Sequence, residues 1–263
     1  MSNAGWATPE NIEHFHSQGF LKLPSSENLI PRYLVQSARH YARNVLPHPR
    51  PDKRGWSQYN GNEEVGPGEL RKVDAPELKN LLTHNLKAGI GEIFKGRSWS
   101  PERSSWQIAY QFPQGRHPVR APDFHVDGYS KDDEFHRQSL LIGILLHKLG
   151  DDAGNFTLFP GSHKTVEKRF ADKDGETGTS RGKRLAAISQ DWGEPPGSPS
   201  VTGLPGTVVI LDPLTVHGTI ENATRKTRIM AFIRAFHSDD SSNCVNHREI
   251  GLTLASILAL PTA

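Results

Sequence analysis

The chain has 263 residues, of which 35% are hydrophobic and 23% charged, and a formal net charge of +2. That length suits one large domain with a substantial core. The balanced charge lacks the basic run or patch of a nucleic-acid partner, and no apolar stretch reaches membrane-spanning length. A single cysteine, Cys244, excludes an intramolecular disulfide and a multi-cysteine zinc site, and points to a reducing, cytoplasmic setting. The first residues lack the apolar segment of a signal peptide.

Thr8-Pro9-Glu10 reads as an N-cap, a first-turn proline and a first-turn acid, opening a helix that Gly19 stops. Phe20–Leu23 alternates as a short strand. Ser25 and Ser26 are expected to open a second helix carrying Leu29, Ile30, Tyr33, Leu34, Ala38, Tyr41 and Val45 at helical spacing. From Pro47 to Gly68 the chain is polar and rich in proline and glycine, which predicts a long loop in which Trp56 and Tyr59 cover core or line a pocket. A third helix is expected from about Pro76 to Lys95, with Leu78, Leu81, Leu82, Leu86, Ile90 and Ile93 on one side.

Beyond that helix the pattern changes to period two and short apolar runs. Strands are expected at Ser105–Phe112, Phe124–Asp127, Ser139–Lys148, Phe156–Phe159, Thr207–Leu211, Thr215–Ile220 and Arg228–Phe236. Short strands without crossover helices predict a mainly β protein with flanking helices, built on a sandwich or jelly roll. The segment 172–203, rich in glycine, serine, proline and charge, reads as an excursion or lid. The stretch 246–260 is expected to be helical. The whole chain, 1–263, is therefore expected to form a single domain: a helical part over about 8–96, a β core over about 104–237, and a helical tail.

Within this frame, His125-Val126-Asp127 stands out. Alternate side chains of an extended strand share a face, so His125 and Asp127 project together. An imidazole beside a carboxylate is two thirds of the 2-His-1-carboxylate triad of non-haem iron enzymes. His217, distant in sequence, supplies a third candidate ligand, because a jelly roll brings distant strands side by side; taken alone, it reads first as a core-edge histidine hydrogen-bonded to backbone. Arg228 lies eleven positions further on. A guanidinium aimed into a barrel needs an anion, and its fork suits a dicarboxylic cosubstrate. Thr219, two residues after His217 and on the same strand face, can offer its hydroxyl to the same carboxylate. Arg234 shares the parity of Arg228.

These features, with Gly154-Asn155-Phe156-Thr157-Leu158-Phe159-Pro160-Gly161-Ser162-His163, Pro205-Gly206 and His217-Gly218-Thr219 in that order, resemble the phytanoyl-CoA dioxygenase family, clearest from Phe124 to Arg234. The resemblance implies a cupin-like double-stranded β-helix and an Fe(II)- and 2-oxoglutarate-dependent dioxygenase. Such an enzyme uses O2 to oxidise an unactivated C–H bond of a small molecule and releases succinate and CO2. It implies that His125, Asp127 and His217 bind iron and that Arg228 and Thr219 hold the distal carboxylate of 2-oxoglutarate. Asp127 argues against halogenation, since related halogenases carry a small residue there. Gln107 is a further candidate for 2-oxoglutarate, and Tyr110, Tyr129 and Arg234 for substrate, each equally compatible with a core or rim role. The turn ending at His163 is expected to be structural, with Gly161 bending it and Ser162 capping the segment after it; His136 and His147 are also read as structural. Two other readings stay open on these residues: a cupin-like isomerase or hydrolase using a divalent metal without 2-oxoglutarate, and a non-catalytic binding protein of the same fold. Oligomeric state is not encoded in any feature of the chain.

Overall fold

The structure, a computed structural model, describes residues 5–45, 68–94, 99, 105–113, 124–127, 140–172 and 199–235. Helix α1 (Pro9–Gln18) starts as expected, with the Thr8 hydroxyl accepting from the Asn11 amide, and ends at Gly19 in the left-handed region (φ 78°). Strand β1 (Phe20–Leu23) follows. The expected second helix splits. Ser25–Glu27 is only a 3-10 turn, closed by Asn28 at φ 51°, and α2 (Arg32–Asn44) starts after Pro31. Proline at this point removes an amide donor and restricts the residue before it, so the apolar period runs across a break that it does not reveal. Tyr33 is consequently exposed.

The long third helix also divides, into α3 (Pro76–Lys79) and α4 (His84–Ile93). Thr83 is the reason: its hydroxyl accepts from the Leu86 amide as an N-cap and donates to the Leu29 carbonyl at 2.7 Å. Ahead of α3 lies an unexpected strand, β2 (Gly68–Val73). The remaining elements are β3 (Ser105–Gln111), β4 (Leu140–Leu145), β5 (Phe156–Leu158), α5 (Ser162–Asp172), β6 (Val208–Leu211), β7 (His217–Thr219) and β8 (Arg228–Ala235). The expected strand at 124–127 is reduced to a single bridge at His125.

Six strands form one antiparallel sheet in the order β1-β6-β4-β8-β3-β2, and β5 pairs with β7 in a second. Strands β1 and β2 come from the part expected to be helical, so the β core reaches back to residue 20. Side-chain parity divides the large sheet into two faces. Trp106, Ile108, Tyr110, Ile142, Ile144, Ile210, Ala231 and Ile233 face outward, against Phe15, Val35, Leu78, Leu86 and Ile90 of the helices. Ala109, Leu141, Leu145, Val209, Met230 and Phe232 face inward, where Phe156 and Leu158 of the small sheet meet them; the Phe156 and Phe232 rings are 5.3 Å apart. Two antiparallel sheets closing on a shared interior constitute the double-stranded β-helix. Gly143 sits on the inner face of β4, where a Cβ would come within 2.9 Å of Val209 and 3.0 Å of Phe232.

Candidate active site

A third cluster, behind the small sheet, explains how His125 and Asp127 are aimed. Phe124 and Val126 pack there with Phe159, Val166 and Val216, so the residues alternating with them turn to the opposite side, toward the interior. His125 and His217 exchange two backbone hydrogen bonds, at 2.8 and 2.9 Å, while the Asp127 amide donates to the Pro213 carbonyl. This antiparallel bridge sets the two imidazoles side by side, with ring centroids 4.6 Å apart.

The Nε2 atoms of His125 and His217 each lie 4.0 Å from Asp127 Oδ1. One ligand atom from each of the three residues falls within 4.8 Å of the others. A point equidistant from three such atoms lies about 2.3–2.5 Å from each, a few tenths of an ångström beyond first-row metal bond lengths of about 2.0–2.2 Å. A facial arrangement at such bond lengths needs ligand atoms about 3 Å apart, so the three side chains must draw together by about 1 Å to hold a divalent ion. Nδ1 of His217 is 2.8 Å from the Thr215 carbonyl, to which it can only donate, leaving Nε2 with its lone pair facing Asp127. Burial, then the neighbouring His125, pushes the His217 pKa down to about 4, so the ring is a neutral base at physiological pH.

The loop entering β7 is fixed from several directions. The Asp212 amide and the Thr215 hydroxyl both donate to the Gly19 carbonyl, and the Gly161 amide donates to the neighbouring Gln18 carbonyl. Gly19 must be glycine twice over: its φ is positive, and a Cβ would fall 2.4 Å from both His163 and Thr215. Ser162, expected to cap, is instead the first residue of α5. Its hydroxyl donates to the Phe159 carbonyl at 2.6 Å and accepts from the Val216 amide at 2.9 Å, pinning the Pro160–Ser162 turn to the residue before His217. His163 reaches the His16 carbonyl, in keeping with a structural role.

Arg228 faces the same interior from β8. It is 2% exposed, its Nε has no hydrogen-bond partner among the described residues, and its Nη1 lies 3.5 Å from the Met230 sulfur. Burial alone pushes its pKa down to about 9. A guanidinium desolvated this far without a carboxylate is costly, and an incoming anion relieves the cost. Gln111, buried and directly opposite Arg228 in register, and Gln107, opposite Phe232, share this face. Thr219 lies two residues beyond His217 in β7 and pairs with Phe156. These residues give the interior a cationic end, apart from the His-Asp-His cluster that could hold a metal ion.

Tyr110 is placed elsewhere. It faces the helices, and its hydroxyl donates to the Ala42 carbonyl at 2.6 Å, so the expectation that it touches substrate does not fit. Period two puts it on the face opposite to Gln107 and Gln111. Arg234 does not stand free for substrate: its Nη2 lies 3.4 Å from Asp127 Oδ2. This contact, and the position of Gln111 across from Arg228, have no local sequence signal, because both depend on strand register. His147 also has a definite task. Its Nε2 accepts from the Ile229 amide at 2.9 Å, beside Arg228, while Nδ1 donates to the Lys148 carbonyl. Tyr129, His136, Trp56, Tyr59, Cys244, residues 173–198 of the excursion and the 246–260 tail lie outside the described residues.

The profile of the phytanoyl-CoA dioxygenase (PhyH) family matches residues 15–230. The chain belongs to the phytanoyl-CoA dioxygenase family. Its enzymes are 2-oxoglutarate-dependent non-haem iron dioxygenases, with Fe(II) as metal and 2-oxoglutarate as cosubstrate, and this chain is one of them. Among solved structures, the chain is similar to SnoK, a non-haem α-ketoglutarate-dependent carbocyclase from nogalamycin biosynthesis, at 21% identity and a TM-score of 0.58, covering 89% of this chain and 86% of that one. It is similar to EctD from S. alaskensis, solved with 2-oxoglutarate and 5-hydroxyectoine, at 19% identity and a TM-score of 0.59, covering 88% and 77%. The epimerase SnoN, solved with Fe3+, α-ketoglutarate and nogalamycin RO, aligns at 16% identity and a TM-score of 0.55, covering 87% and 83%. These likenesses extend the fold assignment across nearly the whole dioxygenase chain. No curated protein matches it in sequence. Among its described residues, no helix is long and apolar enough to cross a membrane.

Proposed function

We propose that the protein oxidises an unactivated C–H bond of a small-molecule metabolite, by hydroxylation, desaturation or ring closure, and forms succinate and CO2 from 2-oxoglutarate. The observation that carries this reading is Arg228: a buried guanidinium with an orphaned Nε, facing the interior into which the His-Asp-His cluster also points. In this reading His125, Asp127 and His217 hold Fe(II). Arg228 receives the distal carboxylate of 2-oxoglutarate through its fork, and Thr219 adds a hydroxyl. Gln107 and Gln111 offer amides to the same ligand from β3. When bound, the iron and its cosubstrate supply the oxidising chemistry.

The chain's own residues bind, orient and keep water out. Phe156 packs 5.2 Å from the His217 ring, and with Phe232 it supplies an apolar wall that strengthens the electrostatic contacts inside. The carboxylate at Asp127 supports oxidation over halogenation. The nogalamycin RO bound to SnoN and the 5-hydroxyectoine bound to EctD support a metabolite substrate, and the origin of SnoK in nogalamycin biosynthesis supports a biosynthetic setting. The single cysteine and the absence of a membrane-crossing helix among the described residues support a cytoplasmic enzyme.

The test is a screen of candidate metabolites for 2-oxoglutarate-dependent succinate release by the iron-loaded protein. Succinate formed in step with substrate oxidation is expected. Metal-dependent turnover that is indifferent to 2-oxoglutarate would place the protein among cupin-like isomerases or hydrolases instead.

A further inference from the structure

The two oxygens of Asp127 are treated differently. Oδ1 lies 4.0 Å from the Nε2 atoms of both histidines, while Oδ2 lies 3.4 Å from Nη2 of Arg234. The ligand set and this arginine arrive from opposite sheets. Asp127 is anchored to the small-sheet side through its backbone bond to Pro213. Arg234 stands on β8, between Ser105 of β3 and Leu141 of β4. Such a central strand offers little freedom to move, so the guanidinium is delivered from a fixed platform.

We infer that Arg234 is a positioning residue that holds Asp127 so that Oδ1 alone faces the metal. A carboxylate can ligate through one oxygen or two, and a three-ligand face with open positions needs the first mode. A guanidinium bonded to Oδ2 occupies the lone pairs that a second metal bond would use, and it opposes rotation about the Cβ–Cγ bond. The side chain is about one-quarter exposed. Its charge nonetheless goes to the carboxylate and not to a free binding role. This inference rests on the metal site proposed above.

The experiment compares the parent protein with Arg234→Met and Arg234→Lys, without substrate. Crystals soaked with Ni(II) and 2-oxoglutarate report the Asp127 binding mode, and anaerobic Fe(II) plus 2-oxoglutarate reports the shape of the visible charge-transfer band. The parent should bind nickel through Oδ1 alone. Arg234→Met should bind it through both oxygens or through a rotated carboxylate, with a shifted or broadened band, and Arg234→Lys should restore the parent's mode. Once a substrate is known, kcat should fall about 10–100-fold in Arg234→Met, in line with losses at outer-shell partners, with little change in the KM for 2-oxoglutarate. An Arg234→Met protein with the parent's binding mode and an unaltered band overturns the inference. A changed KM for substrate with both spectroscopy and geometry intact also overturns it, assigning Arg234 to substrate. A parent that takes up no metal at the three residues overturns the inference together with the proposed function, whereas failure of the inference alone leaves the parent's metal site intact.

Discussion

Two residues set opposite demands on the protein. Arg228 is buried with no carboxylate partner among the described residues, so its presence costs stability until an anion arrives. Arg228→Met should therefore stabilise the ligand-free protein by about 1–3 kcal/mol, the usual cost of an unsatisfied buried polar group. Thermal melts check this, and with 2-oxoglutarate at a hundred times its Kd the parent should gain about 2.7 kcal/mol that the variant lacks. Lower stability of the variant would make Arg228 a structural residue. His217 has the reverse character: burial and His125 lower its pKa to about 4, against an ordinary value of 6.5. Its folded form thus stays neutral while the unfolded chain takes up a proton. Above pH 6.5 both states are neutral and nothing changes; between pH 6.5 and 4 stability falls by up to about 1.4 kcal/mol per pH unit from this group. His147, lowered mainly by burial, adds in the same direction. Denaturant melts across pH 4–8 measure the slope, which His217→Gln should reduce.

At the scale of elements, the site depends on how short strands are held in place. His147 accepts the Ile229 amide just beyond the last paired residue of β4, fixing the strand end that carries Arg228. His147→Ala should leave that buried amide unsatisfied, cost about 1–3 kcal/mol and weaken 2-oxoglutarate binding; His147→Gln, which retains an acceptor, should recover much of it. Tyr110→Phe is the control: it loses the bond to Ala42, at about 0.5–1.5 kcal/mol, with the kinetics of turnover unchanged. Gly143→Ala should destabilise by about 1–3 kcal/mol, because its methyl would press on Val209 and Phe232. Strand existence is legible in the alternation of 105–111 and in the short apolar runs of 140–145 and 228–235, and α1 in its cap and its stop. The breaks at Pro31 and Thr83 are not, because the apolar period continues across both. Strand β2 lies in polar sequence, where pairing with β3 decides the outcome and local pattern does not.

For the whole molecule, the sheet order is what makes a site from residues scattered between 107 and 234. His125-Val126-Asp127 is legible through its spacing, even though only His125 is bridged, since Phe124 and Val126 bury on the far side and turn the other two inward. His217 and Arg228 are legible as residue types, and their convergence requires the fold. The pairing of Arg228 with Gln111 comes from antiparallel register across β3 and β8, and the ion pair between Asp127 and Arg234 from the facing of the two sheets; no single stretch of sequence carries either. The same closure places the orphaned guanidinium and the His-Asp-His cluster on one interior.

The proposed site is tested most directly by an anaerobic titration of the Fe(II)-loaded protein with 2-oxoglutarate, followed by visible absorption. A weak charge-transfer band should grow to one equivalent, vanish in His217→Ala, and require far more 2-oxoglutarate in Arg228→Ala. No band in the parent, or an identical titration in Arg228→Ala, would contradict it.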